Sequence, residues 1–205
     1  MKRAYLIPAE PLEFSYEIKK SKFIARVAKA ADRTEAMALL AKAKQDYPDA
    51  RHHCWAYLLG DPKQPISVAF NDDGEPSGTA GKPILNVLNH RGIGDIAVVV
   101  IRYFGGIKLG AGGLVRAYSA ATQQAIEALA TVTKLPMVER RLRCDYAVEP
   151  ELRRLIESLD GVIVEADYGL QLDLVISLPL SEEPALEAFC AGRPSLTLYA
   201  SEADQ

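Results

Sequence analysis

A glycine-rich loop between a buried strand and a long helix constrains this chain more than any other feature. The run Ile96–Tyr103 is almost wholly apolar and β-branched, which predicts a strand buried on both faces. Five glycines follow within the nine residues 105–113, and apolar residues from Leu114 to Leu129 then recur on one helical face. The chain therefore needs a domain in which a central strand turns tightly into a long helix.

This strand–loop–helix unit predicts a site for an anion. Glycines leave backbone N–H groups accessible to a ligand, and the helix N-terminus adds partial positive charge. Phosphate is the expected ligand, and the alternative is a structural crossover whose glycines only permit close packing. The predicted anion or nucleic-acid contacts are Lys82, Arg102, Gly105, Gly106, Lys108, Gly110, Gly112, Gly113 and Arg116.

A second polar segment, residues 71–83, holds three acids, two hydroxyls and three glycines and leads into a helix predicted over 79–89. Its side chains could bind a cation or exchange hydrogen bonds with a ligand. The alternative is a simple turn with Thr79 as the helix cap. The candidate polar contacts are His53, on a strand predicted at 52–59 that borders the glycine-rich loop, and Asp73, Glu75, Ser77 and Thr79.

Familiar nucleotide and metal motifs are excluded. Lys82 resembles the end of a P-loop, but Pro76 and Pro83 stand where that motif needs a glycine and a hydroxyl. Residues 92–97 match the dinucleotide pattern but precede a strand instead of following one. His52–Trp55 offers at most two ligands on a strand face, too few for zinc. We therefore assign no catalytic residue, no cofactor and no metal.

The rest of the first half predicts an α/β arrangement. Two strands are expected at 13–18 and 23–28, and another at 66–70. Asp32 and Glu35 form a capping box that starts a helix running to about Tyr47. Residues 131–136 are expected to be an interdomain linker.

The second half predicts a ferredoxin-like βαββαβ order. Strands are expected at 137–147, 162–166, 170–178 and 195–199, the third with strict apolar alternation. A helix opens at Glu149 with a proline in its first turn, and Ser181 is expected to cap a second helix. No chemistry-bearing side chains cluster here, which is typical of a docking or scaffold domain.

Charge separates the two halves. Residues 1–134 carry 18 Lys and Arg against 13 Asp and Glu, a balance of +5, whereas residues 135–205 carry 6 against 14, a balance of −8. We predict two domains with these boundaries. The basic domain can meet phosphate, while the acidic domain is better suited to a protein partner.

The chain is expected to be cytoplasmic and not bound to a membrane. Its longest strongly apolar run, Ile96–Ile101, is far shorter than the about 20 residues that span a bilayer. The N-terminal residues show no signal-peptide pattern. Three widely spaced cysteines, an odd number, argue against a disulfide framework.

Three motifs together are similar to those of a known family. They are HHCWAY at 52–57, NDDGEPSGTAG at 71–81 and VVVIRYFGGIKLGAGGLVRAY at 98–118. On these residues the chain resembles the IMPACT family, and its two-module organisation resembles the bacterial YigZ-like branch of that family. The resemblance extends over nearly the whole chain and is most specific in the first half.

The resemblance implies an α+β chain of two domains. Residues 1–134 would have the fold of the second domain of ribosomal protein S5, and residues 135–205 a ferredoxin-like fold. This pair is similar to the last two domains of translocase elongation factors, which act on the ribosome. Eukaryotic relatives regulate translation by competing for an activator of a stress kinase through an extra N-terminal domain, which we expect to be absent here.

These inferences favour a nucleic-acid- or ribosome-associated binding protein that regulates translation and contacts phosphates through the glycine-rich loop. The ribosomal part is an analogy at the level of the fold. One alternative is a small-ligand phosphate-binding protein or enzyme that uses Asp73 or Glu75 with the loop 105–113. Another is a protein–protein regulator that contacts no phosphate. The particular RNA or partner, any turnover and the oligomeric state are left open.

Overall fold

The computed structural model describes residues 3–199, which divide between two compact units, Arg3–Lys134 and the chain from Leu135 onward. Both units combine strands and helices, so the predicted α+β class with two domains is confirmed. Within residues 3–199 no helix is long and apolar enough to cross a membrane.

The first unit is built on a five-stranded antiparallel sheet with three helices. The strands are β1 (Tyr5–Pro8), β2 (Leu12–Ile18), β3 (Ser21–Lys29), β4 (His52–Leu59), β5 (Ser67–Asn71), β6 (Ile96–Tyr103) and β7 (Thr131–Lys134). The sheet order is β2-β3-β6-β4-β5, and β1 and β7 pair separately. The helices are α1 (Arg33–Asp46), α2 (Gly81–Arg91) and α3 (Ala111–Glu127).

The central strand β6 is buried on both faces, as its apolar run predicted. Val98 and Val100 pack with α2 and α3, whereas Val99 and Ile101 pack against α1 on the other face. Each side of the strand therefore has its own hydrophobic core, which explains why the sequence shows no polar alternation there.

The topology brings two loops to one edge of this sheet. Strands β5 and β6 are both antiparallel to β4, so they run in the same direction and end at the same edge. Helix α2 follows β5 and α3 follows β6, so both helices begin there. The polar segment 71–83, called the acidic segment below, and the glycine-rich loop 105–113 therefore become neighbours, although about 30 residues separate them in the chain.

Most of the expected elements of this unit are confirmed. The capping box at the start of α1 is present, since the Glu35 N–H donates to Asp32 Oδ1 at 2.9 Å and the Glu35 carboxylate accepts from the Ala31 N–H at 2.8 Å. The predicted linker over 131–136 is wrong in its first four residues, which form β7. Strand β7 pairs antiparallel with β1, with Tyr5 opposite Lys134.

Asp95 ties this small sheet to the larger one. The carboxylate is buried and accepts hydrogen bonds from Tyr5 Oη at 2.9 Å, Lys134 Nζ at 2.6 Å and the Gly60 N–H at 2.7 Å. Asp95 itself has a left-handed backbone, with φ of 45°. Residues from both ends of the domain, Tyr5 and Lys134, and from the β4–β5 hairpin, Gly60, therefore bind the same carboxylate.

The second unit has the predicted ferredoxin-like fold. Its four strands lie in the order β11-β8-β10-β9, all antiparallel, which is the arrangement expected of βαββαβ. The strands are β8 (Met137–Cys144), β9 (Val162–Tyr168), β10 (Leu172–Pro179) and β11 (Leu196–Tyr199), and the helices are α4 (Glu149–Ser158) and α5 (Glu183–Cys190). Ser181 does not cap α5, because it lies in a 3-10 turn over Leu180–Glu182.

We predict that Asp95→Asn removes part of the pH dependence of stability. Burial would raise the pKa of Asp95, but the bonds from Lys134, Gly60 and Tyr5 outweigh burial and hold that pKa below its ordinary 3.8. A depressed folded-state pKa stabilises the protein above the ordinary value, and this stabilisation is lost as pH falls through the folded value. Asparagine tolerates the left-handed backbone, so the turn is retained.

The measurement is urea unfolding of wild type and variant between about pH 6 and about pH 3. At the upper pH the variant is expected to be less stable by about 1–3 kcal/mol, and the difference should shrink at the lower pH. A difference that stays constant across this range would contradict the assigned role of the carboxylate.

Candidate functional site

A buried polar network joins the two loops at the shared sheet edge. Arg102 NH1, near the end of β6, donates to Glu75 Oε1 at 2.6 Å. Tyr118 Oη, on α3, donates to the same oxygen at 2.9 Å. Both side chains of the ion pair are nine-tenths or more buried, and Tyr118 is fully buried. The acidic segment is therefore anchored to both the central strand and the helix that follows it.

Arg102 differs from the sequence-based expectation of a solvent-facing phosphate contact. Its guanidinium is paired with Glu75 and lies 5.6 Å from the ring centroids of both Phe23 and Phe104. Its Nε is buried and, within the described residues, has no hydrogen-bond partner. Arg102 is thus mainly a structural group that keeps one unused donor, and the ring of Phe104 beside it is half exposed.

The acidic segment is largely occupied by bonds within the protein. The Asp72 carboxylate accepts from the N–H groups of Gly78, Ala80 and Gly81 at 2.8–3.0 Å. Asp72 therefore closes the start of α2. Thr79 is not the cap that the sequence predicted, because its hydroxyl donates to the Pro76 carbonyl at 2.6 Å.

Asp73 and His53 bind each other through the backbone, and the His53 ring lies 3.2 Å from the Tyr47 carbonyl oxygen at the end of α1 instead of bordering the glycine-rich loop as expected. The His53 N–H donates to Asp73 Oδ2 at 2.6 Å. Burial lowers the pKa of His53, although the neighbouring Asp73 opposes this effect, so the imidazole is neutral near pH 7. Ser77 is exposed. In residues 3–199 no group of three or more His, Cys, Asp or Glu side chains is arranged to hold a metal ion.

Cys54 belongs to the same network and is not a nucleophile. Its sulfur lies 3.0 Å from the Asp72 carbonyl oxygen and 3.3 Å from Tyr118 Oη. Burial raises the pKa of the thiol far above its ordinary value, so no thiolate forms near pH 7. Burial, together with Cys54 and Glu75, also raises the pKa of Tyr118, which keeps its hydroxyl a donor.

The glycines of the loop have two different roles. A Cβ on Gly105 would lie 2.0 Å from the carbonyl carbon and oxygen of Lys20, and the Gly105 N–H donates to Ser21 Oγ at 3.2 Å. Gly105 therefore serves close packing, and its amide is already bonded. Gly106 and Gly110 have φ of 85° and 70° and open space around them, so they shape the loop.

The start of α3 is the open part of the site. Its N-cap, Gly110, makes no side-chain cap hydrogen bond, and Gly112 and Gly113 lie in the first turn. Lys82, Lys108 and Arg116 are exposed, and none has a carboxylate partner within residues 3–199. An Arg116 NH1 atom lies 3.5 Å from where a Cβ on Gly112 would be. A long helix thus begins with uncapped amides beside a cation.

Sequence reasoning missed the hydrogen bonds that Asp72, Cys54 and Tyr118 make in the site. Two interpretations of Tyr118 follow from the sequence, a residue of the apolar face of α3 and an exposed ring that stacks on bases, and its burial excludes the second. Asp72 caps a helix that starts nine residues later, a distance at which no local capping pattern operates.

The geometry defines a two-domain α+β protein with a glycine-rich strand-to-helix site on its first domain. Residues 19–126 match the Impact N-terminal domain, and residues 142–189 match a domain of unknown function, DUF1949. The chain therefore belongs to the IMPACT family, which confirms the resemblance seen in its three motifs.

Relatives of similar length support this assignment. The chain is 42% identical over 201 residues to IMPACT family member YigZ of Escherichia coli (strain K12), covering 97% of this chain and 98% of that protein. It is 41% identical over 157 residues to IMPACT family member YvyE of Bacillus subtilis (strain 168), covering 75% and 71%. A crystal structure described as a hypothetical protein is 40% identical with a TM-score of 0.79, covering 98% and 99%.

Glu75→Ala is expected to destabilise the fold strongly. Removing one partner of a buried ion pair leaves the other charge uncompensated, which costs about 3–5 kcal/mol. The measurement is the free energy of unfolding in urea. The double variant Glu75→Leu with Arg102→Met removes both charges and should recover most of the loss, because apolar replacement of a whole pair is often neutral. A loss below about 1 kcal/mol in the single variant would show that the pair is not an anchor.

Gly105→Ala should also destabilise, by about 1–3 kcal/mol or more, because the added methyl group meets the backbone of Lys20. The matched control is Gly112→Ala, in the first turn of α3. There the methyl group makes only an ordinary contact, and the helix gains up to about 1 kcal/mol. Equal unfolding midpoints for the two variants would contradict the packing role of Gly105.

Proposed function

We propose that this protein binds RNA or the ribosome and regulates translation, and that it contacts phosphate groups where α3 begins. The observation that carries the proposal is the set of uncapped amides at the start of this 17-residue helix, with Lys108 and Arg116 exposed beside them. A helix N-terminus offers N–H donors and partial positive charge to an anion.

Two further features support a phosphate ligand at this edge. Lys82 stands at the start of α2, whose N-terminus lies at the same sheet edge. The first domain as a whole has a charge balance of +5. Each of these attracts a polyanion and none selects a sequence, so the affinity would depend on salt more than on base identity.

Exposed aromatic and apolar side chains at the loop suit a single-stranded nucleic acid. Phe104 is 53% exposed and Ile107 is 44% exposed. Phe104 already has a cation beside one part of its ring, the arrangement on which an unstacked base can pack. Tyr118 is excluded from this role because it is fully buried.

The contacts disfavour the enzymatic alternative. Asp73 and Glu75 were its candidate base or magnesium ligands. Each now accepts hydrogen bonds within the protein, Asp73 from the His53 N–H and Glu75 from Arg102 and Tyr118. A carboxylate held in this way is a scaffold for the loop and not a group directed at a substrate.

The test is a charge-reversed variant, Lys108→Glu with Arg116→Glu. Binding to an unstructured RNA oligonucleotide is measured by filter binding at increasing salt, and ribosome association by co-sedimentation. Removing two phosphate contacts should weaken binding at least about tenfold and reduce the slope of log K against log salt by about 1.4. Both readouts should fall together.

The matched control is Lys29→Glu with Lys63→Glu. These lysines are also exposed, and they lie at the opposite edge of the same sheet, where β6 begins. The two variants have the same change in net charge, so equal losses would indicate only bulk electrostatics. No RNA affinity in wild type at low salt would reject the phosphate contact, and intact ribosome association in the Lys108 variant would favour a purely protein–protein regulator.

A further inference from the structure

The sheet of the second domain has one face without helices. Leu142, Leu174 and Ile176 face the core, which the helices complete with Leu152 and Leu186. Because alternate residues of a strand point to opposite faces, the residues between them lie on the other side. Residues of this outer face line a trough of about 1000 Å³ over β8, β10 and β9.

Charges on the outer face form two short stripes of opposite sign, apart from Glu139, which lies on the same face of β8 opposite Ser177 of β10. Strand β8 presents Arg141 and Arg143 on one side, and β9 presents Glu165 and Asp167 on the other. Between them β10 presents Asp173, which holds Arg143 through two bonds of 2.8 and 3.0 Å, and then Val175.

The strand register aligns these charges in rows. One row across the sheet contains Arg143, Asp173 and Asp167. The adjacent row contains Arg141, Val175 and Glu165. Each row therefore runs from a cation on β8 to a carboxylate on β9, with β10 in the middle.

Such a face is complementary to itself. Consider a second copy rotated by 180° about an axis parallel to β10 and lying above it. Strand β8 of each copy then lies over β9 of the other. Every row stays at the same position along the strand direction, so it lies over the same row of the second copy. Arg143 meets Asp167 and Arg141 meets Glu165, while on the axis Val175 and Asp173 each meet the same residue of the second copy. Each Asp173 is already neutralised by the two bonds from Arg143 of its own chain. Stacked sheets lie about 10 Å apart, a gap that an arginine and a carboxylate can bridge together.

The geometry points to self-association of this chain, in which the outer faces of two second domains stack through their opposite charge stripes. This is an isologous contact, in which one pairing occurs twice about the two-fold axis. A nucleic acid is a poorer occupant, because Glu165, Asp167 and Asp173 repel it. The contact involves about ten residues a side, against about 20–30 in a standard interface, so the dimer is weak and forms at high protein concentration.

The experiment is sedimentation equilibrium of the full chain from about 10 to about 500 µM at low salt, a range suited to an interface below standard size. Wild type should shift from monomer toward dimer. One variant, Arg141→Glu with Arg143→Glu, reverses the cations of β8, and another, Glu165→Lys with Asp167→Lys, reverses the carboxylates of β9. Each variant alone should dimerise at least about tenfold more weakly, because like charges now oppose one another.

An equimolar mixture of the two variants is the decisive sample. In the mixed pair residues 141 and 143 of each variant again face unlike charges at 165 and 167 of the other, so a heterodimer at least as tight as the wild-type dimer is expected. The matched control, Arg153→Glu with Arg154→Glu, places the same charge change on the exposed side of α4 and should leave dimerisation unchanged. Thermal melts check that all variants remain folded.

Three outcomes overturn the inference. They are a wild-type monomer at every concentration, a dimer insensitive to both charge variants, and a mixture that fails to restore association. None of these outcomes tests the phosphate site, because RNA binding is measured in a separate experiment with the Lys108→Glu and Arg116→Glu variant.

Discussion

The buried ion pair between Arg102 and Glu75 is the interaction on which the glycine-rich edge of the first domain depends. It connects Glu75 of the acidic segment to the central strand, and Tyr118 connects the same carboxylate to α3. Because desolvation offsets much of the attraction between the two charges, such a pair adds little net stability, and its main effect is to fix the orientation of the groups that it joins. Its consequence here is that the position of the α3 N-terminus is set by a charge that solvent does not reach.

Helices α2 and α3 both begin at this edge, and their N-terminal amides are capped differently. Asp72 satisfies the first amides of α2 with its own carboxylate, so that N-terminus is closed to ligands. The start of α3 has Gly110 as N-cap, and within residues 3–199 no side chain caps its first amides. This difference is the reason that the proposed anion site is placed at α3, near the exposed Lys108 and Arg116.

The second domain uses charge in another way. Its residues carry a strong negative balance, but on its outer sheet face Arg141 and Arg143 of β8 lie opposite Glu165 and Asp167 of β9, across β10. The charge balance of −8 belongs to residues 135–205 as a whole, whereas the striped face is the surface of the proposed contact between two copies. In our proposals the first domain binds phosphate and the second binds a complementary protein face.

The amino-acid sequence by itself determined whatever depends on neighbours within a few residues. It predicted β6 from an apolar run, α1 from a capping box and the ferredoxin-like order from alternation, because hydrophobic period and capping are local. Only the tertiary structure decided that Arg102 is paired inside the protein, and that residues 131–134 form a strand with Tyr5–Pro8. The partners of those residues lie 27 and more than 100 positions away, and no local pattern encodes a contact that chain folding alone brings together.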